Sequence, residues 1–407
     1  MSFNIALSGL QSTSQDLNTI SNNIANASTV GFRGGRSEFS AIYNGGNPGG
    51  VNVAGTSQNF SQGGSLTYTG RHLDMGIQGE GFFMLNSTDG STMYSRAGMF
   101  KQDALGYLAD PAGNHLRGYS VDANGQLQNG NLSDLQIKAG SLPAKASTKV
   151  DQVSNLDARV ATIDTTTHPF KTDDPLSFNS SSTVTVYDSL GNEHAMTQYF
   201  AKTGAAGTNQ WTVHYVVDGN PLTNKGAPVT ATLNFDKDGK IETTGTPKPN
   251  LDITVTNGAN DIKLALDYTS CTQYAADYSN SSLSQDGYTS GELNGIRLDD
   301  SGKIFGTYTN GQEQLQGEVV LANFTNPNGL TPVSNNAWKA TSAAGAPVTG
   351  APKTGTLGGV TGGYLESSNV DTTAEMVSLM TAQRNYQSNA KVLDTSNNMQ
   401  QALLNAI

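Results

Sequence analysis

Asn234, Asp236, Asp238 and Gly239 stand at the spacing that opens a calcium-binding loop, where oxygen ligands at positions one, three and five precede a glycine at six. Position twelve, which must supply a bidentate glutamate, is Gly245, and strand-like rather than helical sequence flanks the segment. A hairpin turn is the plainer reading. His72, His115, His168, His194 and His214 are scattered, none at metal-ligand spacing with another histidine or with a cysteine. Cys271 is the only cysteine, so an internal disulfide is excluded, and its neighbours Ser270 and Thr272 offer no base to activate the thiol. No G-x-S-x-G nucleophile elbow occurs, and the pairs Gly34-Gly35 and Gly45-Gly46 do not follow a buried strand as a phosphate loop would. No catalytic residue, metal site or cofactor is expected, and the chain does not read as an enzyme.

The elements that would have to position any site explain why chemistry is sparse. Hydrophobic residues make up 36% and charged residues 14% of the 407 residues, leaving a chain rich in Gly, Ser, Thr, Asn and Gln. Such a composition builds thin β domains with many turns, and the length implies two to four of them. The net charge of −11, with no cluster of Lys or Arg, excludes a nucleic-acid surface and argues against anionic membranes. No apolar run approaches the roughly 20 residues of a membrane span, so membrane insertion is not expected. No Lys or Arg precedes Arg33, so the N-terminus lacks the pattern of a cleavable secretory signal.

Both ends read as helix. Phe3, Leu10, Leu17 and Ile24 recur every seven residues, with Leu7, Ser14 and Ser21 at the alternate position and Ile20 on the same side. This is an a/d heptad with a small second position. About 25 helical residues span roughly 38 Å. The far end mirrors it: Met376, Leu379, Gln383, Tyr386, Ala390, Leu393, Asn397, Gln400, Leu404 and Ile407 alternate in steps of three and four. Asp371 is placed to cap this helix, with Glu375 in its first turn. A helix of this kind is marginal without a packed face. Each therefore needs the other, or the same helices of neighbouring subunits, and the apolar stripes predict self-assembly.

Between them lie short alternating strands such as Val184–Tyr187, Trp211–Tyr215 and Glu318–Leu321. One turn recurs at Asp122 to Gly125, Asp236 to Gly239 and Asp299 to Gly302, each flanked by apolar residues. That is hairpin punctuation, with Gly supplying positive φ. Composition shifts near Leu142–Lys145 and Leu283–Gly287 predict one β domain inserted into another. The fold class expected is multidomain and mainly β, with paired, coiled-coil helical termini. The divisions are 1–28 with 370–407 for the helices, 29–70 with 342–369 for irregular connecting segments, 71–145 with 285–341 for an inner β domain, and 146–284 for an outer inserted one.

The stretch Ser21-Asn22-Asn23-Ile24-Ala25-Asn26, followed by Thr29-Val30-Gly31-Phe32-Arg33, resembles the N-terminal signature of the rod and hook axial proteins of the bacterial flagellum. Leu365-Glu366-Ser367-Ser368-Asn369-Val370-Asp371 and Met380-Thr381-Ala382-Gln383-Arg384-Asn385-Tyr386 resemble its C-terminal counterpart. Gly70–Asp74, Gly81–Phe83 and Tyr94–Phe100 are of the kind that rod and hook share. Thr183–Asn192, Gln312–Phe324 and the inserted domain resemble the hook branch.

The resemblance implies a structural hook subunit that polymerises with many copies of itself into a flexible curved tube, a universal joint carrying motor torque from rod to filament. It implies export without signal cleavage by the flagellar type III apparatus, assembly outside the cell under a hook cap protein, and junctions with the distal rod protein and the hook–filament junction protein. The terminal helices would form an inner tube, with Ser14 and Ser21 permitting close approach. Their ends would be disordered until docking. Two alternatives stay open on the residues: another axial protein such as a distal rod subunit, and a secreted β-rich adhesin or glycan-binding module.

Overall fold

A computed structural model describes residues 2–44, 46–122, 125–205 and 208–405. The chain is mainly β, with one helix at each end: α1, Ser2–Ala25, and α2, Thr372–Asn405. It divides into two compact units. One comprises Met1–Ala139, Asn294–Thr307 and Glu313–Ile407; the other comprises Gly140–Leu293 and Tyr308–Gln312.

In the first unit α1 leads into a long antiparallel hairpin, β1 (Gly35–Asn44) and β2 (Asn47–Gln58). Residues 29–70 were expected to be irregular, so this hairpin is a difference from the sequence reading. Gly49, Gly50 and Gly55 in β2 and register shifts at Glu38/Phe39 and Ile42/Tyr43 break the period-two alternation that marks a strand. After it come β3 (Leu66–Tyr68), β4 (Met75–Gln78), β5 (Phe82–Asn86) and β6 (Thr92–Ser95). β5 pairs with β6 and with the strand His115–Val121, which continues to Glu313–Val319 and its hairpin partner Lys303–Tyr308. The core beside this sheet is aromatic. Phe82 meets Trp338 edge-on at 5.6 Å between centroids, and Tyr94 meets Phe324 at 4.8 Å. Phe60, just beyond the hairpin, packs on both Phe82 and Trp338, and the Trp338 indole donates to the Gln58 side chain at 2.7 Å. The hairpin is thereby anchored at its base.

The second unit is a sandwich of two sheets. One contains Lys149–Asp157, Asn250–Ile253, Ile262–Asp267, Thr272–Tyr274 and Ser279–Gln285. The other contains Ser180–Tyr187, Glu193–Lys202, Gln210–Val217 and Thr230–Asn234. Inward-facing Phe200, Trp211, Val213, Tyr215, Leu233, Leu264 and Tyr268 close the core between them. The Trp211 indole donates to Gln273 at 2.8 Å, and the Tyr215 and Tyr268 hydroxyls lie 3.1 Å apart. Cys271 is buried, its thiol 3.4 Å from the Ser154 hydroxyl, and burial pushes its pKa up.

A single turn is reused throughout. At Asp103, Asp110, Asp188, Asp236 and Asp299 the carboxylate accepts hydrogen bonds of 2.8–3.0 Å from the amides two and four residues on. The glycine three residues on takes a φ between +76° and +89°. Gln126 is held by Asp122 in the same way at 2.9 Å. Asp236 therefore spends its carboxylate on the amides of Asp238 and Lys240, and Asn234 donates to the Thr244 carbonyl. The segment that resembled a calcium loop is a hairpin turn. Among the described residues no cluster of three or more His, Cys, Asp or Glu is arranged to hold a metal ion, and no helix is long and apolar enough to cross a membrane.

Candidate assembly interface

α1 and α2 lie side by side, and their contact uses small and polar side chains. Gly9 presses on the Asn389 side chain: a Cβ at Gly9 would stand 2.9 Å from its amide nitrogen. About four helical turns further along, Asn23 donates to Glu375 at 2.9 Å while its other amide bonds tie the Gly35 backbone, accepting at 2.9 Å and donating at 2.8 Å. The opposite flank of α1 faces the hairpin, where the Ser8 hydroxyl accepts from the Val51 amide at 3.2 Å and Thr19 meets Ser37 at 3.0 Å. The buried positions of α1 are Ala6, Gly9, Ser12, Ile20 and Asn23.

The expected stripe on α1 is displaced from that face. Leu10 and Ile24 each follow a buried residue, Gly9 and Asn23, by one position, a turn of about 100° around the axis, and Leu17 follows the partly buried Asp16 in the same way. Phe3, Leu10, Leu17 and Ile24 are partly buried, Leu7 is 39% exposed, and Ile20 is buried on the α2 side with Gly9 and Asn23. On α2, Ala382 and Ser396 are buried and Leu379, Asn389, Ala390 and Leu393 partly so, whereas Met376 and Tyr386 are exposed, at 55% and 41%. Leu404 belongs to α2, but its side chain lies outside the described residues, as does Ile407 entirely. The physical reason for the displacement is distance. Helices that approach closely put their smallest side chains at the contact, so the larger apolar ones are left on the flanks.

The motif residues sort into structural tasks. Asp371 caps α2, accepting from the amides of Thr373 (2.8 Å) and Ala374 (3.2 Å). Asn369 accepts from the Gly34 amide at 2.8 Å and donates to the carbonyls of Asn59 and Gln62, and its own amide reaches the Phe32 carbonyl. Val370 is partly buried and would be 3.3 Å from a Cβ on Gly34. Asn26 closes α1 by donating to the Asn22 carbonyl and accepting from Thr29. Gly31 has φ +69° and sits against the backbone of Arg96 and Ala97 at 2.6 Å from where a Cβ would be, so no larger residue fits. Gln383, Arg384 and Asn385 are exposed on α2, and Asn385 lines a groove of about 590 Å³ with Ile5, Gly9, Phe39, Tyr43 and Asn389.

Sequence reasoning missed the centre of this region. Arg33, Glu366 and Arg96 form a buried charge knot: Glu366 takes Arg33 at 2.6 Å and Arg96 at 3.1 Å, with side-chain exposures of 1%, 0% and 4%. Burial lowers the Arg96 pKa to about 10, Glu366 opposing the shift. All three residues stood in the quoted motif stretches, but nothing in their spacing announced that they meet.

Comparison with known proteins places the whole architecture. Four families match in register along the chain: "Flagella basal body rod protein" at residues 3–33, "Flagellar hook protein FlgE/F/G D1 domain" at 76–152, "Flagellar basal body protein FlaE D2 domain" at 155–288 and "Flagellar basal body rod FlgEFG protein C-terminal" at 361–406. The flagellar hook protein FlgE of Salmonella typhimurium is 37% identical over 409 residues, covering 100% of both chains. The chain belongs to the flagellar hook protein FlgE family. FlgE of Escherichia coli K12 is likewise 37% identical over the full length of both chains, and FlgE of Borreliella burgdorferi is 30% identical over 98% of this chain and 97% of its own. The crystal structure of Helicobacter pylori FlgE2 shares the fold, with a TM-score of 0.56 at 16% identity, covering 74% of this chain and 100% of that one. As a FlgE-family chain this protein is a structural subunit of the flagellar hook.

Proposed function

We propose that this FlgE-family subunit polymerises through its paired terminal helices into a curved, bendable tube that carries torque from rod to filament. The observation that carries the reading is the helix pair itself. It satisfies its inner face with Gly9, Asn23 and Ala382, yet leaves Leu7, Met376, Met380 and Tyr386 exposed. Apolar side chains left along a helix pair are stabilised by burial against further copies. The β units carry few charges and many hydroxyl and amide groups, so contacts that neighbouring copies make through them are polar and wet, and such contacts lose little when they slide. Bending under rotation needs that property.

On this reading the subunit's partners are many copies of itself, the distal rod protein, the hook–filament junction protein, the hook cap protein and the flagellar type III export apparatus. It works outside the cell after export without signal cleavage. It does so as scaffold rather than as enzyme.

The test is deletion of residues 1–28. The truncated chain keeps its β units, read by near-ultraviolet circular dichroism, and forms no tubes by electron microscopy. Tubes from the truncated chain would overturn the terminal-helix account.

A further inference from the structure

We propose that Glu366 is the closing residue of the subunit: its carboxylate locks the base of the helix pair onto the β unit by pairing with two buried arginines at once. The inference rests on the assembly reading above for its purpose, but not for its test.

Four chain segments converge on this one carboxylate. Oε1 accepts from Arg33 and, at 3.0 Å, from the Gly64 amide; Oε2 accepts from Arg96 on the turn after β6. The Glu366 backbone adds a bond from the Gly31 amide at 2.8 Å, and the next amide, Ser367, reaches the Ser65 carbonyl at 2.9 Å. Its strand, Tyr364–Glu366, pairs with β3, and five residues on Asp371 starts α2. The N-terminal arm, the loop after the hairpin, the β5–β6 hairpin and the root of α2 are therefore held at one point.

The charges make the point conditional. Arg33 has no hydrogen-bond partner at Nε or Nη1 among the described residues, and Arg96 has none at Nε. Arg96 also donates to the Gly79 carbonyl at 2.8 Å and lies over the Phe82 ring, neither of which supplies a negative charge. Glu80 favours the Arg96 cation only at a distance, without an ion pair to it among the described residues, and its Oε2 accepts from Asn323. Without Glu366, two guanidiniums stay buried with no carboxylate against them, an arrangement far costlier than an open connector. Glu366 lies more than 300 residues from Arg33 and five residues before the Asp371 cap of α2, so closure waits until the C-terminal strand docks. The knot thus makes one event of strand docking and positioning of the helix pair.

Pulse-labelled hydrogen exchange on the dissociated full-length chain, refolded from denaturant, tests this. In the wild-type chain the amides of Gly31, Gly64 and Ser367 gain protection together, in one phase. In Glu366→Gln all three exchange about 100-fold faster, the loss expected when a buried charge is stripped of its partner, while amides of β5 and β6 keep wild-type protection. The triple variant Arg33→Met/Glu366→Leu/Arg96→Met, which removes every charge, restores protection at Gly31 and Ser367, whose acceptors are backbone carbonyls. Three results would overturn the proposal: wild-type protection at the three amides in Glu366→Gln, loss of β5–β6 protection alongside them, or a triple variant as open as the single one. Because the readout is on free subunits, it is independent of whether the helices drive polymerisation.

Discussion

Gly9 of α1 and Asn389 of α2 are so close that the first methyl group added to Gly9 would fall 2.9–3.0 Å from all three polar-end atoms of the Asn389 amide. The neighbour is the end of a rotatable side chain rather than backbone. Gly9→Ala is therefore expected to be near neutral, because the roughly 1 kcal/mol gained in helix propensity offsets displacement of Asn389. Gly9→Leu cannot be accommodated in this way. It should part the helices at a cost of about 1–3 kcal/mol and lower the helical signal at 222 nm in the free subunit.

Asn23 is expected to behave as a joint rather than a surface amide. It is 2% exposed and makes three hydrogen bonds, two to Gly35 and one to Glu375. Asn23→Ala leaves the Gly35 backbone groups short of partners and should destabilise the helix pair by about 2 kcal/mol in thermal unfolding. Asn23→Asp should cost more at neutral pH, since a carboxylate would face Glu375. That excess should shrink as the pH falls toward the carboxylate range.

Two histidines on one sheet of the sandwich have opposite pH signatures. Burial disfavours the His194 cation, but hydrogen bonds to Asp218 (2.7 Å) and Asp188 (3.4 Å) outweigh it, and its pKa is raised. Its contribution is fully present below the unfolded value near 6.5 and is lost as pH rises through the folded pKa. His214, stacked on Phe170 at 4.1 Å, has its pKa lowered by burial alone, so its contribution is lost as pH falls below about 6.5. Asp218→Asn should therefore lower the His194 pKa in an NMR titration and weaken the sandwich more at pH 6 than at pH 8. A titration curve unmoved by Asp218→Asn would show that the contact is not made in solution.

How much of this was legible beforehand depends on the kind of signal. The existence and extent of both helices, and the Asp371 cap, were visible because heptad spacing and capping chemistry are local. The inward face of α1 was not, because periodicity weights large apolar residues such as Leu10 and Ile24, whereas close packing selected Gly9 and Asn23 one position before them. The turns at Asp122, Asp236 and Asp299 could be read, but those at Asp103, Asp110 and Asp188 follow the same rule and went unnoticed. Arg33, Arg96 and Glu366 are spread over more than 300 residues of sequence, and no local rule connects such positions.

Gly31 offers a sharp check on the connector. With φ at +69° and backbone atoms of Arg96 and Ala97 only 2.6 Å from a notional Cβ, Gly31→Ala meets both conformational strain and a clash that no side-chain rotation relieves. The expected loss is at least about 2 kcal/mol in chemical denaturation, with β5 and β6 retained and the helix pair loosened. A Gly31→Ala chain as stable as wild type would mean that this stretch adopts another path.

The displaced stripe on α1 separates two roles that a heptad reading merges. Ile20 is buried on the side of Gly9 and Asn23, so Ile20→Asp places a charge inside the subunit's own helix pair and should reduce helicity before any polymer forms. Leu17, three residues earlier, is only partly buried and lies on the flank. Leu17→Asp should change the free subunit's circular dichroism and melting temperature much less than Ile20→Asp does while abolishing tubes, because the charge is fully desolvated only when another copy covers it. The pair of variants asks whether the flank is an interface: tubes of normal yield from Leu17→Asp would remove that flank from the assembly, whatever Ile20→Asp does.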